Sequence, residues 1–183
     1  MIPLFLGLTG ANLALLVVTL SMGLFAADAI GEPTRWYGLH IGVAIMSGMF
    51  CVLAQVAVYT YFIATTKWLG AATDKAALEP RRFVEPARRR KLFAFGVCMT
   101  PVAVVMLTMF AGAGADPTAG QPWWPAQVHL ALAVAAVVVN LVAAILQYRL
   151  IRAQGELIDE AARRACVAAD KRADETSVVG HAS

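Results

Sequence analysis

The sequence predicts an all-α integral membrane protein: a four-helix bundle built from two tandem helical hairpins as a parallel internal repeat, with a cytoplasmic C-terminal helical extension. Three observations predict it. The 183 residues are 60% hydrophobic and 15% charged, where a soluble domain is about a quarter charged. The apolar residues gather into four long runs, residues 2–27, 38–66, 92–115 and 128–148. One ungapped shift of 89 residues brings matching residues of the two halves together.

Each run holds about 20 residues or more, enough for a helix rising about 1.5 Å per residue to cross about 30 Å of hydrocarbon. None shows the period-two alternation of a membrane β-strand. The first run is uncharged. A cleaved signal peptide fits it poorly, because no basic segment precedes it and it far exceeds an apolar stretch of about 7–15 residues. A short outer loop follows, DAIGEPTRWY at residues 28–37. The second run carries no charge unless His40 is protonated. Lys67-Trp68 then marks its inner boundary. Residues 69–91 read as a polar connector with Pro80 and Pro86. It ends in ARRRK, a stop signal and lipid anchor ahead of the third run. Pro101, inside that run, predicts a kink. The second outer loop, DPTAGQPWWPAQ at residues 116–127, again carries Pro, Gly and Trp. Gly and Pro make turns, and Trp36, Trp123 and Trp124 suit the headgroup level. After the fourth run, residues 149–175 are rich in Ala, Glu and Arg and predict a helical extension. Residues 176–183, with His181, predict a disordered tail.

Charge placement orients the chain. Fourteen of the 15 Lys and Arg lie between runs two and three or after run four; only Arg35 lies on the other side. By the positive-inside bias this places both termini in the cytoplasm, in a bacterial-type inner (plasma) membrane. The net charge of +3 therefore reports topology and lipid contact, not nucleic-acid binding. The three cysteines, Cys51, Cys98 and Cys166, lie in no outer loop and form no CxxC, so neither a disulfide nor a zinc site is expected.

The 89-residue shift aligns Gly7 with Gly96, Thr19 with Thr108 and Gly23 with Gly112. It also aligns Pro33 with Pro122, His40 with His129 and Tyr59 with Tyr148. Runs one and three both run outward, so the repeat is parallel, with a pseudo-two-fold axis along the membrane normal.

The histidines are the chemical question. At about 100° per residue, the face below His40 holds Ala44, Ser47, Cys51, Ala54 and Gln55. The face below His129 holds Ala133, Ala136, Asn140, Ala143 and Gln147. Both faces are small or polar and should turn into the bundle, away from lipid. Two imidazoles at equal depth on facing helices suit the axial positions of one haem b iron, with His40 and His129 as metal ligands. Arg35 is the cationic candidate for the propionates, and Ser47 and Asn140 are candidate cofactor contacts. A second reading stands beside this one: an interfacial histidine also bonds a loop carbonyl or joins the tryptophan belt. No carboxylate or third imidazole accompanies the pair, which disfavours a non-haem metal. Gln55 or Asn12 could help hold a quinone headgroup, although as polar residues within spans Gln55, Asn140 and Gln147 also read as interhelical glue.

In plan the chain resembles the small four-helix membrane b-type cytochromes that anchor or serve oxidoreductases, a likeness of architecture alone. It implies an electron-transfer subunit more than a stand-alone enzyme. The alternative is a non-enzymatic scaffold or assembly subunit that docks through its cytoplasmic helix. No Ser–His–Asp set, phosphate loop or HExxH is present, and no intramembrane carboxylate marks an ion pathway. The expected partners are the bilayer and either other membrane subunits or further copies of the chain.

Overall fold

The structure, a computed structural model, describes residues 1–28, 33–115 and 123–180. These residues form four α-helices: α1 Ile2–Asp28, α2 Pro33–Ala76, α3 Pro80–Ala115 and α4 Ala126–Gly180. All four are long and apolar enough to cross a membrane, and the chain is a multi-pass membrane protein. Helix is what the bilayer demands of these runs, because each backbone amide must find its partner within its own segment.

Helix ends follow local chemistry. Pro33 and Pro80 each open a helix, where a missing amide costs nothing and the fixed φ suits the first turn. α2 closes with Ala77 in the left-handed region (φ 52°). There the Leu78 amide bonds back to the Thr73 carbonyl at 3.0 Å, the backbone pattern of a Schellman stop. The Val128 amide, near the start of α4, bonds the Pro125 carbonyl at 3.0 Å.

The expected connector at 69–91 is almost wholly helical. α2 runs on to Ala76 and α3 begins at Pro80. The reason is an apolar stripe among the charges: Leu69, Phe83 and Ala87 are buried in one cluster with Ala161 of α4. Pro80 opens a helix here instead of breaking one. α4 continues to Gly180, five residues into the segment expected as a disordered tail, while residues 181–183 lie outside those described.

The chain divides into two units. The first comprises residues 1–58 and 96–148, with a section of every helix. Its packing is inverted relative to a soluble bundle. Asn12, Ser47, Gln55, Asn140 and Gln147 are buried, while Leu6, Val17, Ile45, Met49, Leu53, Leu107, Val138 and Ile145 are exposed. Polar groups inside and branched apolar side chains outside is the arrangement hydrocarbon selects. The small apolar core joins Leu16, Cys51, Val105 and Ala136, one from each helix.

The second unit comprises residues 59–95 and 149–183. Its core is the Leu69–Phe83–Ala87–Ala161 cluster, with Leu78, Leu157 and Ile158 packed against it. Around it the charged residues pair. Arg82 and Arg164 both bond the Glu160 carboxylate, at 2.6 and 3.0 Å. Desolvation works to raise the Glu160 carboxyl, but the hydrogen bonds and charges of the two guanidinium groups hold it below its ordinary value. The Arg90 guanidinium donates to the Ala153 carbonyl at 3.1 Å, and the Gln154 amide donates to Thr65 at 3.2 Å.

Candidate functional site: a histidine pair in the first unit

His40, in the second turn of α2, and His129, in the first turn of α4, come together. Their ring centroids lie 6.2 Å apart, with planes inclined at 74°. Each ring also lies against a glycine of the preceding helix in the chain. A Cβ on Gly23 would stand 2.9 Å from His40 Cε1, and one on Gly112 would stand 2.8 Å from His129 Cε1. Both values are far inside an ordinary carbon contact of about 3.5–4.0 Å. Only glycine lets the rings occupy these positions.

His129 Nδ1 sits 3.1 Å from the Thr108 backbone carbonyl. A carbonyl can only accept, so Nδ1 is the donor in this contact. His40 Nδ1 is buried without a hydrogen-bond partner. Each ring faces the backbone of the preceding helix, His129 at Thr108 and His40 at Gly23.

Beneath the rings the interior is polar in layers. The Thr19 and Ser47 hydroxyls lie 2.7 Å apart, and both reach the Leu15 carbonyl, at 2.8 and 3.3 Å. Deeper, the Asn140 Oδ1 accepts from the Asn12 amide at 2.9 Å and from the Cys51 thiol at 3.6 Å. Its own amide donates to the Ala136 carbonyl at 2.8 Å. Deeper again, the Gln147 amide donates to the Gln55 carbonyl oxygen and to Cys98 Sγ.

The candidate residues therefore separate. His40 and His129 lie in ring contact. Arg35 is exposed at the start of α2, five residues before His40. Ser47 and Asn140 do not line the histidine pair. Asn140 lies 11 residues from His129, about 16 Å along the helix, and both side chains are committed to bonds with α1. They act as interhelical glue, as do Gln55 and Gln147. Asn12 likewise spends its amide on Asn140 rather than on an open site. The outer loop residues 29–32 and 116–122, where further contacts to the rings were expected, lie outside the described residues. Among the described residues no three metal-ligating side chains converge.

Sequence reasoning did not assign Gly23 and Gly112 a role against the histidines. The signal was present: they coincide on the 89-residue offset, as do Thr19 and Thr108. No protein family matches the chain, and no curated protein or solved structure matches it either.

Proposed function

We propose that this protein is an electron-transfer subunit of a bacterial-type inner membrane, holding one b-type haem between His40 and His129. The observation that carries the reading is the separation of the rings. The ring centroids stand 6.2 Å apart, so one group held between α2 and α4 could draw on both imidazoles, and His40 and His129 would be the residues to hold it. The two imidazoles would supply the donors. The Thr108 carbonyl orients His129 from behind, as an outer partner commonly does for a ligating imidazole. A haem held here supplies one-electron chemistry; the chain's part is to ligate it, fix its orientation and enclose it in an apolar exterior.

The same reading includes the repeat and the topology. Contacts join residues 89 positions apart in each unit: His40 with His129 and Cys51 with Asn140 in the first, Thr65 with Gln154 in the second. A residue on a two-fold axis meets its own equivalent, so these contacts support two related hairpins. Lys and Arg crowd the ends of the runs opposite the histidines, which supports cytoplasmic termini, a cytoplasmic extension of α4 and a haem near the outer face. A quinone or another subunit then completes the electron path across the bilayer.

The test is a visible spectrum of the protein purified in mild detergent from haem-sufficient cells, with and without dithionite. A reduced-minus-oxidised haem b band that disappears in His40→Ala and in His129→Ala is the expected result. A colourless, fully helical preparation would overturn the reading.

A further inference from the structure

The second unit carries two adjoining grooves, one between α2 and α4 and one along α4 beside Leu78. One, of about 530 Å³, is lined by Trp68, Ala71, Ala72, Lys75, Ala165 and Ala168 among others. The other, of about 310 Å³, is lined by Leu78, Arg163, Arg164, Val167, Ala168 and Lys171. Ala168 belongs to both. Their floors are apolar and their rims cationic, and among the described residues no carboxylate lines either. Trp68 and Val167 are 44% and 55% exposed. Among the described side chains, they are the large apolar ones this unit leaves uncovered outside the hydrophobic runs.

Lipid explains only the Trp68 end of this surface, which lies beside Lys67 at the end of the run. Along α2, Lys75 lies eight residues, about 12 Å, beyond Lys67, the first charge after the run. Along α4, Ala165 lies 16 residues, about 24 Å, beyond Arg149. The headgroup layer is only about 5–8 Å deep on each side of the hydrocarbon, and screening reaches about 8 Å. Acyl chains do not extend to these floors. The cations that serve the lipid surface are others, Lys67, the 88–91 cluster, Arg149 and Arg152.

We infer that the paired grooves dock an acidic amphipathic helix of a partner protein. Its apolar stripe lies over Ala72, Ala168 and Val167, where small side chains let a third backbone approach closely, and its flanking carboxylates meet Lys75, Arg163 and Lys171. This inference is independent of the haem reading and stands whether or not a cofactor binds the first unit.

The test uses the full chain in nanodiscs of phosphatidylcholine alone and a fluorescent synthetic helix of about 18 residues, five turns. One version carries a Leu/Ala stripe flanked by Glu; a second replaces every Glu with Lys. The acidic helix is expected to bind and to weaken with added salt. Binding should fall at least about tenfold in Ala168→Trp, which fills both grooves, and in the triple variant Lys75→Glu, Arg163→Glu, Lys171→Glu. Ala72→Trp repeats the blocking test from the α2 side, and circular dichroism confirms that each variant is helical. The inference is overturned by no binding to the wild-type chain, by equal binding of the Lys version, or by undiminished binding to both Trp variants. Cross-linking of one copy to another through Ala72→Cys would overturn it too, by assigning the grooves to a second copy.

Discussion

Replacing Gly112 with alanine tests the histidine packing directly. The new methyl would stand 2.8 Å from His129 Cε1 and 3.1 Å from Nδ1. Against an ordinary contact of about 3.5–4.0 Å, the overlap is roughly 0.7–1.2 Å. The ring must move, and its bond to the Thr108 carbonyl goes with it. Overpacking of this kind costs about 1–3 kcal/mol. Alanine recovers about 1 kcal/mol of helix propensity over glycine. The net expectation is a loss of up to about 2 kcal/mol. Gly10 is the control: nothing lies within 4 Å of a Cβ there, so Gly10→Ala keeps the propensity gain with no clash. The two variants should differ by about 1–3 kcal/mol in a reversible denaturant titration in detergent, read by circular dichroism. A Gly112→Ala protein as stable as Gly10→Ala would refute the placement of His129 against α3. Gly23→Ala should repeat the effect on His40, where the contact is 2.9 Å.

Two further outcomes follow from the same geometry. Asn140→Leu removes the acceptor of both Asn12 and Cys51 and should destabilise by about 1–2 kcal/mol, at the upper end for interhelical hydrogen bonds in membranes; the same titration reads it. Ala77→Gly relieves a left-handed alanine and should stabilise by about 1 kcal/mol, visible as a raised melting temperature with unchanged helix content.

The sequence made the spans legible because hydrocarbon imposes one rule on composition and length. The contact between His40 and His129 coincides with the 89-residue offset read in the sequence. What the offset could not carry was the depth of other polar groups relative to the rings. Ser47 and Asn140 share a helix face with the histidines, yet a face extends along a whole helix and a site does not. Asn12 was the missing term, since its contact with Asn140 spans 128 residues and no local pattern marks it. The connector was read as polar because its charges outnumber its apolar positions. Pro80 stands where a helix begins, and the buried positions Phe83 and Ala87 sit four residues apart among arginines that mask the stripe.

The Asn12–Asn140 bond has a consequence for how the chain is made. Ribosomes add about 5–20 residues per second, so Asn12 emerges roughly 6 to 25 seconds before the residue that accepts its amide. Through that interval the first helix holds a bare amide within a segment otherwise destined for hydrocarbon. The half-made protein must keep that helix beside the insertion machinery, or beside water, until the fourth helix arrives. Truncated products ending before residue 140 should therefore be retained there and degraded, a timing constraint that the finished bundle no longer displays.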